Sequence, residues 1–290
     1  MKISSVLIIF LSLVAFSANI YFTEFVDLTD IVIDFINNSN NFLYVSSYSL
    51  DNYYVVEAIN RLSEKGLDVR VILEVSNKDL KCKVLKDYEK SLHHAKFMVN
   101  DNGVIFGSAN FTDSGLFEGY NDIVVFEKDK VEDFKNLFLN LWNEGKVSGC
   151  KNFFVVGYDD VESKLLEFIQ SAKKRIYVCV YALTNQKVFA LLKYKESRGV
   201  EIKIITDKWF NNSILKKYPI RNIVIVRDKM LHHKFVIVDN SVFLGSVNIT
   251  VNGLTKNFEM AYISNQFLNS YLKVFDYLWR RYSENKDIED

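Results

Sequence analysis

The feature that most constrains this 290-residue chain is that it repeats itself. Phe42–Leu50 (FLYVSSYSL) resembles Arg175–Leu183 (RIYVCVYAL). Each is followed by a helical pattern, a glycine and a strand, Gly66 before LDVRVILE and Gly199 before VEIKIITD. Tyr44, Tyr48 and Gly66 map onto Tyr177, Tyr181 and Gly199 at one constant offset. Further on, HHAKFMVNDNGVIFGSANFTDSGL matches LHHKFVIVDNSVFLGSVNITVNGL at a slightly larger offset, so the second copy carries a short insertion around Trp209 to Tyr218. Copies of this length, each holding strands and helices, make two similar domains rather than a solenoid.

Each half reads strand, helix, strand, helix, strand, one or two further strands, then a closing amphipathic helix, near Val131–Trp142 and Phe267–Tyr282. Central strands such as VRVILE and IKIITD are β-branched and lie next to helical patterns, as in α/β sheets. The predicted fold is therefore two α/β halves, mixed sheets flanked by helices, packed about a pseudo-twofold axis. The halves are residues 23–147 and 148–290, joined where Gly145, Ser148 and Gly149 cluster.

Residues 1–22 read differently. After Lys2 there is no charge until Glu24. Val6 to Phe16 has the length of a signal-peptide apolar core, and Ala15-Phe16-Ser17-Ala18 offers small residues for cleavage; uncleaved, Ile3 to Phe22 is just long enough to span a bilayer. The expectation is a signal peptide or membrane anchor with the catalytic domain outside the cytoplasm, secreted or tethered. Three cysteines make neither a disulfide framework nor a four-ligand zinc site, although Cys82 and Cys150 could pair in an exported domain.

The chemistry sits in the longest matching stretch. In His94-x-Lys96 and Ser108-x-Asn110, two apolar runs flank Asp-Asn-Gly, a strong hairpin signal. With the hairpin centred on Asn102, Lys96 falls opposite Ser108 and His94 opposite Asn110, so all four project from one face. The second copy, centred on Asn240, pairs His232 with Asn248 and Lys234 with Ser246. Lysine supplies a point charge and Asn and Ser supply neutral hydrogen bonds, which suits a phosphate; histidine serves as nucleophile or general acid near neutral pH. All four histidines lie in these stretches, at 93, 94, 232 and 233. Strand alternation turns His93 and His233 away from the shared face. Asp101 and Asp239 fall at the hairpin turns and read as structural, since Asp is a turn former with local hydrogen bonds of its own.

The two stretches, H-x-K-x₄-D-x₅-G-S-x-N, resemble the paired HKD motifs of the phospholipase D superfamily, and the repeat covers nearly everything after residue 20. The resemblance implies one active site built from both motifs, with no cofactor or metal and no need for a dimer. One histidine would form a phosphohistidine and the other would protonate the leaving oxygen; by analogy His94 is the nucleophile. Lys96, Lys234, Ser108, Ser246, Asn110 and Asn248 would hold the phosphate. The family also places an acid downstream to orient a histidine. Glu259 fits in the second half, whereas the first has Asn121 with Asp122 beside it, a departure that makes the halves unequal. For substrate, the continuations Thr112-x-x-Gly115-Leu116 and Thr250-x-x-Gly253-Leu254 resemble those of small PLD-type endonucleases. Lysines and arginines equal aspartates and glutamates, 36 each, so a polyanion must be drawn by a local patch. Lys208, Lys216, Lys217, Arg221, Arg227 and Lys229, with Trp209 and Phe210 among them, form one. DNA or RNA is the expected substrate; phospholipid head groups are the alternative, acted on by a phospholipase D or phosphatidyltransferase.

Overall fold

The computed structural model describes residues 18–87, 91–218 and 220–283. The first half runs β1 (Ala18–Phe22), α1 (Leu28–Asn37), β2 (Phe42–Ser47), α2 (Tyr53–Glu64), β3 (Asp68–Leu73), β4 (Lys83–Lys86), β5 (Phe97–Asn100), β6 (Val104–Gly107), β7 (Asp122–Phe126) and α3 (Val131–Glu144). The second runs β8 (Phe153–Val155), α4 (Val161–Gln170), β9 (Arg175–Val180), α5 (Gln186–Ser197), β10 (Glu201–Asp207), β11 (Ile223–Val226), β12 (Lys234–Val238), β13 (Ser241–Gly245), α6 (Val251–Thr255), β14 (Met260–Ser264) and α7 (Leu268–Ser283).

The two sheets have one topology. The first is ordered β1-β7-β6-β5-β2-β3-β4, and the second, read from its other edge, β8-β14-β13-β12-β9-β10-β11. In each, three parallel strands adjoin an antiparallel remainder. The helix starts repeat too. Asp27 and Asp160 accept from Thr29 N and Ser163 N, and Asn52 and Asn185 accept from Val55 N and Val188 N, satisfying orphan amides at equivalent helix ends. The outer sheet faces bury α1 and α2 in one half and α4 and α5 in the other. The inner faces share one core with α3 and α7, in which Phe97, Phe106 and Phe138 meet Phe235, Tyr177 and Phe275. That shared apolar core fixes one half against the other.

Three expectations change. The order strand, helix, strand, helix, strand runs from β1 to β3 and from β8 to β10, but among the described residues each half then has four further strands rather than one or two, and the second half adds two 3₁₀ turns at Lys208–Asn212 and Ile214–Lys217 before β11. The first half takes in Ala18–Phe22, ahead of the expected start at 23, because β1 pairs antiparallel with β7 from Ala18↔Phe126 to Phe22↔Asp122. A span from Ile3 to Phe22 therefore loses its last five residues to a sheet edge; the rest of the apolar run lies outside the described residues. Cys82, Cys150 and Cys179 are all free thiols. Among the described residues no helix is long and apolar enough to cross a membrane.

Candidate active site

Both hairpins form, one residue out of the expected register. Phe97 pairs with Phe106 and Phe235 with Leu244, which puts Lys96 level with Gly107 and Lys234 with Gly245. A one-residue slip would normally send the following residues to the wrong face. Here the ladder ends at those glycines. A Cβ on Gly107 would lie 2.3 Å from Asp122 O, and one on Gly245, at φ +140°, 2.4 Å from Met260 O. The chain passes where no side chain fits and regular alternation stops. The glycines of the T-x-x-G-L continuations act similarly: Cβ atoms on Gly115 and Gly253 would lie 2.0 and 2.4 Å from the carbonyl oxygens of Asn110 and Asn248. Thr112 and Thr250 cap the turns from Gly115 N and Gly253 N, at 3.0 and 2.9 Å.

The histidines stand outside their own ladders. His94 N donates to Phe258 O, and His232 N to Tyr120 O, both at 2.9 Å, so each backbone is held by the opposite half. The side chains cross as well. Nδ1 of His94 lies 2.9 Å from both carboxylate oxygens of Glu259, and Nδ1 of His232 lies 2.9 Å from Asn121 Oδ1. Asn121, which the sequence places in the same half as His94, thus supports the histidine of the other half. The rings face one another with centroids 6.3 Å apart. Tyr48 packs on His94 and Tyr181 on His232, at 5.7 and 5.5 Å. Lys96 and Lys234 donate to the carbonyls of His94 and His232, the second at 2.6 Å, and lie over the rings of Tyr48 and Tyr181.

Not every expected phosphate ligand is free to bind one. Ser108 and Ser246 are wholly buried, and their hydroxyls are committed to Asp122 Oδ1 (3.0 Å) and Glu259 Oε2 (2.6 Å). They brace the acids rather than face the opening. Asn110 and Asn248 keep buried side-chain oxygens without a protein partner; since an amide oxygen only accepts, it is their NH2 groups that could donate to a phosphate. Asp101 and Asp239 lie at the far ends of the hairpins. Asp101 accepts from the main-chain N–H of Asn40, Asn41 and Phe42, and Asp239 from those of Lys173, Lys174 and Arg175. Asp122 sits behind the site, where Oδ1 is 2.7 Å from His233 Nδ1. His93 lies between Ser46 Oγ (2.8 Å) and Asp87 (3.1 Å), but Ser46 is fully buried and its hydroxyl donates to Ala95 O, so no nucleophile is presented there. Three contributors carried no catalytic signal in the sequence. Tyr48 and Tyr181 were visible only as repeat markers, and Glu24, which reaches His233, only as the first charge after an apolar run.

Burial dominates the electrostatics. Together with the charges of both lysines it holds His94 and His232 well below the usual imidazole range. It pulls Lys96 down to about 7 and Lys234 well down, Lys96 further lowering Lys234, and pushes Glu259 up to about 7 against the pull of Lys96. An anion between the rings would reverse the cationic shifts, which is how a phosphate site behaves before its phosphate arrives. Among the described residues no cluster of three or more His, Cys, Asp or Glu is placed to hold a metal ion.

The chain matches the family described as "Cardiolipin synthase, PLD-like domain" twice, over residues 32–142 and 165–279, one match in each half. A mitochondrial cardiolipin hydrolase of Chlamydomonas reinhardtii is 29% identical over 126 residues, 40% of this chain and 56% of that protein, so the match spans only about half the length of such relatives. The human protein of that name is 26% identical over 43% of this chain and 53% of its own. Among solved structures, the phosphatidylserine synthase of Haemophilus influenzae superposes with a TM-score of 0.68 at 14% identity, covering 91% of this chain and 86% of the other, a likeness of fold. With both halves matched and both motifs meeting in one centre, the chain belongs to the phospholipase D superfamily.

Proposed function

We propose that this protein hydrolyses phosphodiesters through a phosphohistidine on His94, and that its substrate is single-stranded nucleic acid. The observation that carries the chemistry is the facing pair of histidines. Rings 6.3 Å apart leave room for a phosphorus that one nitrogen approaches to about 3–3.5 Å while the other reaches the leaving oxygen. Nε2 of His94 attacks phosphorus, the bond to the leaving oxygen breaks, and that oxygen takes a proton from Nε2 of His232. His232 then takes a proton from water as its oxygen displaces His94 and breaks the P–N bond. Glu259 favours this assignment of roles, because a carboxylate at Nδ1 of His94 stabilises the cationic phosphorylated ring. A neutral amide at Nδ1 of His232 leaves that imidazolium a stronger acid. Lys96 and Lys234, with Asn110 and Asn248, offset the charge that develops on the phosphoryl oxygens.

Nucleic acid is favoured by an aromatic step beside His232. Trp209 is stacked on Tyr181 (6.5 Å, 27°) and stays 45% exposed. Both line a cleft of about 1190 Å³ that also includes Asn248 and Lys256. An unpaired base stacking on such a ring gains about 1–3 kcal/mol. The exposed Lys208, Lys216, Lys217 and Arg221 of the same segment suit a phosphate backbone. A second reading, hydrolysis of phospholipid head groups, is favoured by Leu92 and Val251, exposed apolar side chains in that cleft, and by the names of the relatives. In either case the apolar run before Ala18 would export or tether the domain, placing it outside the cytoplasm; protease accessibility in intact cells tests this. For substrate, Trp209→Ala should raise KM for a single-stranded oligonucleotide about tenfold or more and leave methyl p-nitrophenyl phosphate nearly unchanged. Turnover of cardiolipin vesicles with none of DNA or RNA would replace the nucleic-acid reading by the lipid one.

A further inference from the structure

The pseudo-twofold axis is broken behind His232. Main-chain bonds Thr23 N→Asn121 O and Val156 N→Glu259 O, both 3.0 Å, are equivalent, so Glu24 corresponds to Gly157, Asp122 to Met260 and His233 to Ala95. Behind His94 that triplet carries no ionisable group. Behind His232 it is a buried ionic chain: Glu24 Oε1 lies 2.8 Å from His233 Nε2, and His233 Nδ1 lies 2.7 Å from Asp122 Oδ1. Asp122 Oδ2 accepts from Tyr271 OH at 3.0 Å. The side chains of His233 and Glu24 are wholly buried. Burial opposes charge on His233, but Glu24 and Asp122 outweigh it and push the imidazole up to about 9. Phe22, Phe235, Cys179 and Tyr271 pack around this cluster, and Lys234 is the cation on its other side.

An ion triplet without solvent is costly to assemble, and apolar replacement is often neutral for stability, as the other half illustrates. Its position gives it another role. The residue before Glu24, Thr23, accepts from Asn121 N through its hydroxyl at 2.8 Å. The residue bonded by Glu24 directly follows His232 in the chain. Thr23 and Glu24 thus hold both the hydrogen-bond acceptor of His232 and its own backbone neighbour. We propose that Glu24 is a positioning residue of the catalytic centre, which aims His232 at the leaving oxygen by locking His233 against Asp122. The segment just after the N-terminal apolar run is then part of the catalytic apparatus and not only a connection to it.

This rests on the two-histidine reading with His232 as the acid, and a pair of substrates separates the two ideas. Diphenyl phosphate has a leaving group that needs a proton; bis(p-nitrophenyl) phosphate has one that hardly does. Because kcat/KM reports phosphoenzyme formation, a misaimed His232 should slow the first substrate far more. In the full chain, Glu24→Ala should lower kcat/KM for diphenyl phosphate at least tenfold more than for bis(p-nitrophenyl) phosphate, within the usual 10²–10⁴ worth of a general acid. Glu24→Gln, which keeps one acceptor for His233, should lie between Glu24→Ala and the unaltered protein, and serves if the alanine variant does not fold. Equal losses on both substrates, or none, would overturn the proposal and leave Glu24 a purely structural residue. If His232→Ala shows no such leaving-group bias, the assignment of His232 as acid fails instead.

Discussion

Asn121→Asp would test the division of labour between the histidines directly. Oδ1 of residue 121 lies 2.9 Å from Nδ1 of His232, and the substitution changes its charge with almost no change of shape. Two unit charges about 4 Å apart attract by roughly 4 kcal/mol at an effective dielectric constant of 20, equivalent to about 3 pKa units. Part of that is lost here. Ser108 Oγ lies 3.4 Å from Asn121 Oδ1 and 3.0 Å from Asp122 Oδ1, so the new carboxylate would share its surroundings with an existing one. A net rise of about 1–2 units is expected for His232, which starts well below the usual imidazole range because of burial and the two lysines. The measurement is kcat/KM for diphenyl phosphate against pH, whose alkaline limb reports the acid in the free enzyme. That limb should move up by 1–2 units in Asn121→Asp, and the plateau should fall because a weaker acid gives up its proton less readily. A limb that stays in place, or moves equally in Asn121→Ala, would refute the argument that residue 121 sets the acidity of His232.

Three further outcomes are expected. His233 has a folded-state pKa of about 9 against an ordinary 6.5, so its contribution, at most about 3 kcal/mol, is fully present below pH 6.5 and lost as pH rises through 9; thermal melts between pH 6 and 10 should show the decline, and His233→Ala should flatten it. Asp101→Ala removes the acceptor for three main-chain N–H groups at the start of β2 and should cost about 1–3 kcal/mol in denaturant unfolding while leaving kcat/KM of the folded fraction unchanged. Activity should persist in EDTA, since Lys, Asn and His residues supply the charge and the proton transfer a metal would otherwise provide; loss on chelation with recovery on adding Mg²⁺ or Zn²⁺ would count against the mechanism.

Much of this centre was legible in the sequence because it depends on short-range regularities. The repeat fixed two equal sheets, and Asp-Asn-Gly fixed the first hairpin. His94, Lys96, His232 and Lys234 were found because their spacing recurs. What escaped depends on contacts between distant segments. Strand alternation cannot anticipate that Gly107 and Gly245 end the ladder, so the register was read one residue late and the serines were given to phosphate instead of to Asp122 and Glu259. The crossing of Glu259 to His94 and Asn121 to His232 follows from how the halves dock, which no local pattern encodes. Ala18–Phe22 continues an uncharged run, and only its pairing with β7 distinguishes a sheet edge from the end of a membrane span.

The crossed support of the histidines bears on how such a site can diverge. Had two identical copies of one half come together as a homodimer, each histidine would have met the same partner, and any change at that partner would have altered nucleophile and acid alike. Joining the copies in one polypeptide removes that coupling. Residue 259 can remain an acid for His94 while residue 121 becomes an amide for His232, and a buried salt-bridged triplet can grow behind one ring with only Gly157, Ala95 and Met260 behind the other. Fusion thus permits two chemically specialised histidines where a symmetric pair would have to compromise.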